Sequence, residues 1–312
     1  MKFLYRIANN KNEVLALYAA FTILIVINGI LDKNMLKLDR IMILATQAVP
    51  LIMIAMGQTI VMLTGGIDLS VGNVTALMGC IAAGLMNENS LGLIGGIVVI
   101  LISGAAVGLM NGTIITYGKV PAIIVTLAMS FIWQGVALII RPTPGGLVDP
   151  RFVAWYNGGA RTFAGIIFII VPLLLWKYLK TTRFGVSLYA IGDNAASAFA
   201  NSVPVNKIRV LGYMCAGVCI GLAGIGLSGL TGTGDANIGV HYTMNAIAAS
   251  VLGGAAFTGG QGQMRGTLIG ALFITSLMNV LFFSGFSPFY QYIAQGVILI
   301  AAISLKVFYD NR

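Results

Sequence analysis

Charge is the first thing this sequence lacks. Its 312 residues include 18 lysines and arginines and only 9 aspartates and glutamates, so 9% of the chain is charged. Soluble domains hold roughly 25%, and so few charges cannot solvate a water-facing surface. The shortage excludes a soluble enzyme, a nucleic-acid-binding protein and a disordered tail protein, and the net charge of +9 is left to serve membrane topology. Histidine is limited to His241, which argues against a histidine-based metal or catalytic centre. The three cysteines, Cys80, Cys215 and Cys219, all sit in apolar runs, without the spacing of a disulfide framework or a metal site. No G-x-x-x-x-G-K-S/T run occurs, so the chain carries no P-loop of its own. No A-x-A-like cleavage site follows the first apolar run, Val14–Leu31, which reads as an uncleaved span.

What the sequence has in abundance is apolar length. It is 58% hydrophobic, with a mean hydropathy of +0.94. Since a helical span needs about 20 mainly apolar residues, the spans are expected at 14–31, 41–63, 69–87, 91–115, 120–140, 163–180, 210–230, 243–260, 266–284 and 289–307. The expected fold is an all-α integral membrane protein of about ten transmembrane helices, a single polytopic transmembrane domain over 1–312. With the N-terminus inside, Lys2, Arg6, Lys11, Lys119, Lys177, Lys180, Arg183, Lys207, Arg209, Arg265, Lys306 and Arg312 fall on the inner side. Lys33, Lys37, Arg40, Arg141, Arg151 and Arg161 fall outside. Twelve against six places both termini in the cytoplasm.

Glycine is also in excess, 40 residues against a usual share of roughly 7%. Two clusters stand out. The first, Leu63 to Gly72, contains Gly65, Gly66, Asp68, Ser70 and Gly72. An acidic residue inside so long an apolar tract is costly, and is either functional or paired. Gly65-Gly66 is expected to end one helix and Asp68 or Ser70 to N-cap the next. The second cluster contains Gly253, Gly254, Gly259 and Gly260. It lacks the lysine of a phosphate loop and reads as close helix packing through small residues. The glycine doublets of the two clusters hint at related halves.

Between 181 and 209 lies the largest cytoplasmic loop expected, with a short helix over 194–202 capped by Asp193 or Asn194 and stopped by Val203-Pro204-Val205. Gln58, Asn111, Thr126, Trp133, Gln134 and Asn245, with Gln47 and Ser130, are polar groups inside spans that either bond between helices or line a polar path. Trp133-Gln134 pairs a stacking surface with an amide, which suits a sugar and equally fits a buried aromatic with a satisfied partner.

These residues resemble a known family. The run T-G-G-I-D-L-S-V-G at Thr64–Gly72 is similar to the signature of the membrane permease subunits of ribose-, xylose- and autoinducer-2-type ATP-binding-cassette (ABC) importers. Pro121–Leu127, Thr182–Gly185 with Ala190–Gly192, Gly221–Gly224, the 253–267 cluster and Gln295-Gly296 match in the same order, over nearly the whole chain. The resemblance implies a permease of the bacterial inner membrane, paired as a homo- or heterodimer, that moves a monosaccharide or similar polar solute inward. It implies an extracytoplasmic solute-binding protein and separate ATPase subunits that hold ATP and Mg, so that this chain has no catalytic residue, metal or cofactor of its own. It also implies that Asn194, Ala195, Ala196, Phe199, Asn201 and Ser202 form the coupling helix docked on the ATPase. There the sequence departs from the family's A-A-R-L/I-S-G-I: Phe199 stands for the arginine and Ser202 for the glycine. An ion-coupled secondary transporter remains the alternative class, with Asp68 its lone candidate group for coupling.

Overall fold

The computed structural model describes residues 17–30, 37–87, 92–287, 289–290, 293–294, 296–297, 300–301 and 304. The expected span 289–307 and the basic N-terminal segment lie largely outside them. Up to residue 287 the α-helices among the described residues are, in order, α1 (Leu17–Ile30), α2 (Leu38–Leu63), α3 (Val71–Leu85), α4 (Gly92–Gly118), α5 (Ala122–Ile140), α6 (Pro150–Tyr156), α7 (Ala164–Leu179), α8 (Arg183–Asp193), α9 (Ala195–Ala200), α10 (Val205–Thr231), α11 (Val240–Leu252) and α12 (Met264–Phe283). Among the described residues the only pairing of strand type is an isolated bridge between Gly145 and Gly234.

Among the described residues, five helices, α2, α4, α5, α10 and α12, are long and apolar enough to cross a membrane, and α7 with α8 forms a further candidate bent by 79°. α2 is apolar on every side and is buried continuously from Ala48 to Leu63, as expected for a helix surrounded by others. α4 and α5 instead turn rows of isoleucine, leucine and phenylalanine outward, among them Ile94, Ile102, Ile124, Phe131 and Ile139. Apolar surface facing out over this length suits lipid as the solvent.

α4 and α10 approach at backbone distance. A Cβ on Gly112 would lie 2.9 Å from the Tyr213 Cβ, one on Gly108 would overlap the Tyr213 carbonyl, and one on Gly104 the Gly217 carbonyl. Glycines four apart make a smooth stripe on one helix face, which lets dispersion act between backbones.

The loops gather at two ends. Residues 141–149 meet 232–234 and the end of α3 through the Gly145–Gly234 pair, Val148 N–H to the Gly232 carbonyl and Asp149 N–H to the Met86 carbonyl. The opposite end holds 64–66, 119–121, α8, α9 and 253–263.

Two expectations change. The span expected over 243–260 stops at Leu252, because Gly254, Gly259 and Gly260 take φ of 89°, 91° and 71°, and an α-helix cannot continue through left-handed backbone. The loop 181–209 is mostly helical: α8 precedes the expected short helix, which spans Ala195–Ala200. α3 and α11, of 15 and 13 residues, reach only about 20 Å, short of a hydrocarbon core of about 30 Å.

Candidate functional site

Both glycine doublets terminate helices, by one device. At the end of α2, Gly65 sits at φ 78°, with its N–H on the Met62 carbonyl and the Gly66 N–H on the Val61 carbonyl. At the end of α11, Gly254 takes the same place, with its N–H on Val251 and the Ala255 N–H on Ser250. This is a Schellman cap, which satisfies the last helical carbonyls and needs a left-handed residue.

The two capped ends meet across the fold. The Gly260 N–H donates to the Leu63 carbonyl at 3.0 Å. A Cβ on Gly259 would stand 2.8 Å from both the Gly65 nitrogen and the Gly192 Cα, and one on Gly192 would overlap the Leu63 carbonyl. Gly192 belongs to α8, so three backbone segments touch at one point where only glycine fits. The Tyr189 hydroxyl ties α8 to the same loop by donating to the Gly262 carbonyl at 3.0 Å.

After the first doublet the chain runs without regular structure to a bend at Leu69 and reaches helical backbone at Ser70. Asp68 is buried; its Oδ1 accepts the Ser70 N–H at 2.8 Å and the Ser70 hydroxyl at 2.6 Å. The Asn111 amide donates to that hydroxyl at 3.0 Å, and the Leu69 N–H to the Thr126 hydroxyl at 3.0 Å. The turn is thereby pinned to α4 and α5, and the carboxylate sits by the start of α3, where a helix dipole favours negative charge.

The expected cap is corrected in one respect. Ser70 holds the N-cap position, but neither its side chain nor that of Asp68 accepts an N–H from the first turn of α3. The Gly72 N–H instead donates to the Thr243 hydroxyl of α11, at 3.2 Å. A Cβ on Gly72 would overlap the Gly239 carbonyl, so the starts of α3 and α11 abut backbone to backbone. The sequence gives no role to Thr243 or Gly239, and marks Gly192 only as part of the family-like run Ala190–Gly192. The glycines had a local signal, their small size beside helix ends, whereas Thr243 had none.

The structure divides the polar candidates for a path. Asn111 and Thr126 join the Asp68 turn, as does Ser130, which accepts the Asn73 amide at 2.8 Å. The Gln134 amide reaches the Ala236 carbonyl and the Asn237 side chain, both at 3.0 Å. Gln58 is sealed in the core with neither amide atom hydrogen-bonded, and the buried Trp133 Nε1 also has no partner. Asn245 is half-buried on α11. Among the described residues no cluster of histidine, cysteine, aspartate and glutamate could hold a metal ion.

α9 projects from this end. The Asn194 side chain caps it, accepting the Ser197 N–H at 2.9 Å, and Phe199 is 73% exposed. It ends in another Schellman cap, Ser202 N–H to Phe199 and Val203 N–H to Ala198, with Ser202 in the left-handed place at φ 62°.

Residues 40–303 match the family described as branched-chain amino acid transport system / permease component. The ribose import permease protein RbsC of Escherichia coli (strain K12) is 34% identical over 306 residues, covering 94% of this chain and 92% of that protein. RbsC of Bacillus subtilis (strain 168) is 35% identical over 293 residues, 91% and 89% of the two chains. The autoinducer 2 import system permease protein LsrC of Escherichia coli O9:H4 (strain HS) is 32% identical over 300 residues, 94% and 86%. No solved structure gives a significant match.

Proposed function

The chain belongs to the branched-chain amino acid transport system permease family, and from that membership we infer that it is the membrane subunit of an ABC importer for a monosaccharide or similar small polar solute. One observation carries this reading: the likeness to permeases named for ribose and autoinducer 2 import extends over 91–94% of the chain. The family description names branched-chain amino acids, but these relatives match 91–94% of the chain and favour a sugar-like solute. A transport subunit moves its solute without breaking a bond, so the chain itself is not an enzyme.

In this proposal ten spans cross the bacterial inner membrane and both termini lie in the cytoplasm. The end that carries α8 and α9 holds Lys119, Lys177, Lys180, Arg183, Lys207, Arg209 and Arg265, while the other holds Lys37, Arg40, Arg141, Arg151 and Arg161. The positive-inside rule supports the first as the cytoplasmic end. There α9 and its flanks, Asn194 to Ser202, dock on a partner ATPase that binds ATP and Mg, and an extracytoplasmic binding protein feeds the opposite end. Two permeases, identical or homologous, pair around the path. Trp133, Gln134 and Asn245 face the solute, with Gln58, Asn111 and Thr126 supporting from behind. The glycine junction of Gly65, Gly192 and Gly259 passes movement of α8 to the ends of α2 and α11.

The test is ATPase stimulation in the reconstituted complex across a panel of binding proteins loaded with pentoses, hexoses and autoinducer 2. Stimulation by a sugar-loaded binding protein is expected; stimulation by a branched-chain amino acid alone would overturn the solute class.

A further inference from the structure

A cavity of about 490 Å³ opens beside the first glycine doublet, between the end of α4, the start of α5 and the start of α10. Lys119, Arg209 and Asn206 line it, and none of its lining residues is acidic. Two more lining residues, Thr116 and Tyr213, are 7% and 1% exposed, and neither hydroxyl has a hydrogen-bond partner. Two hydroxyls closed off from bulk water and left unpaired are costly to keep. Lys119 adds a further cost, because it holds φ at 53°, a region that lysine rarely adopts. The start of α5 follows at Ala122, with Pro121 as its N-cap residue and no side-chain cap, so its free N–H groups and dipole add positive potential. Asp68 interacts electrostatically with the Tyr213 hydroxyl, as does Arg209, but the carboxylate is occupied by Ser70.

We propose that this cavity binds a phosphate group, held by Arg209 and Lys119 with the Tyr213 and Thr116 hydroxyls as further donors. Arginine and lysine give charge-assisted bonds to phosphate oxygens, and a bound phosphate supplies the partner that both hydroxyls lack. The phosphate belongs either to an anionic lipid headgroup or to a soluble phosphate. Exposed Tyr117, Ile123 and Ile124 near the rim offer an apolar surface for acyl chains. The proposal is independent of which solute is carried.

Two measurements on the full-length chain in nanodiscs separate the sources: calorimetric titration with inorganic phosphate, and native mass spectrometry of phosphatidylglycerol retained from mixed phosphatidylcholine and phosphatidylglycerol. Either ligand binding to the native chain supports the site and identifies the source. Arg209→Gln is expected to weaken binding about tenfold, with a smaller loss for Tyr213→Phe. Lys119→Gly should weaken binding while keeping or raising the melting temperature, since glycine relieves the left-handed strain; a loss there cannot be ascribed to misfolding. Lys180→Gln, in a separate basic cavity beside α7 and α12, is the control and should change nothing. Absence of both ligands, binding unchanged in Arg209→Gln and Lys119→Gly, or equal loss in Lys180→Gln would overturn the proposal.

Discussion

At the scale of single residues, left-handed backbone falls mostly on glycine but also, among the described residues, on Lys119, Phe163 and Ser202. Gly65, Gly254 and Gly285 each occupy the left-handed place of a Schellman cap, and Ser202 occupies the same place at the end of α9. A serine there costs about 1 kcal/mol more than glycine. Ser202→Gly is therefore expected to raise the melting temperature of the purified protein, and a fall would contradict the cap. Gly192 is the opposite case. Its missing side chain leaves room for the Leu63 carbonyl and the Gly260 amide, so Gly192→Ala should destabilise the protein by about 1–3 kcal/mol. Gly79→Ala, where a Cβ meets nothing within 4 Å, should be near neutral in the same assay. Gly65-Gly66 was legible as a helix end because a Schellman glycine acts on its own turn, whereas Gly253-Gly254, within the expected span 243–260, read as close packing. The role of Gly192 was not legible, because its contacts, Leu63 and Gly260, are far away in the chain.

At the scale of elements, helix cores were legible and helix ends partly so. Apolar runs marked the expected spans from 41–63 to 266–284, since burial in lipid or protein selects the same side chains along the whole helix. The expected second half of 243–260 failed at Gly253-Gly254 because composition there stays small and apolar while the backbone turns left-handed. α8 was hidden for a different reason. Residues 183–193 are too polar to look like a span, yet their apolar side chains Leu188 and Ile191 are buried. α9 exposes Phe199, and among the described residues little covers that ring. Phe199→Ala should then leave thermal stability within about 0.5 kcal/mol of the native protein while lowering ATP-driven uptake. An unfolded or poorly inserted variant would return Phe199 to a packing role.

At the scale of the whole molecule, the arrangement fits the proposed import subunit. α2 and α10 form an enclosed centre, α4 and α5 present apolar outer faces, and the end with α8 and α9 is rich in lysine and arginine. Asp68, the one acidic group that an ion-coupled mechanism had to offer, is engaged by the Ser70 N–H and hydroxyl at the start of α3, which is the geometry of an anchor. In the proposed function the energy source therefore lies outside the chain. The most direct test is solute uptake into proteoliposomes holding the permease, its ATPase and its binding protein, with either native or hydrolysis-deficient ATPase. Uptake that requires ATP, stops with the deficient ATPase and is indifferent to an uncoupler is the predicted result. Uptake that continues with the deficient ATPase and collapses with the uncoupler would contradict it.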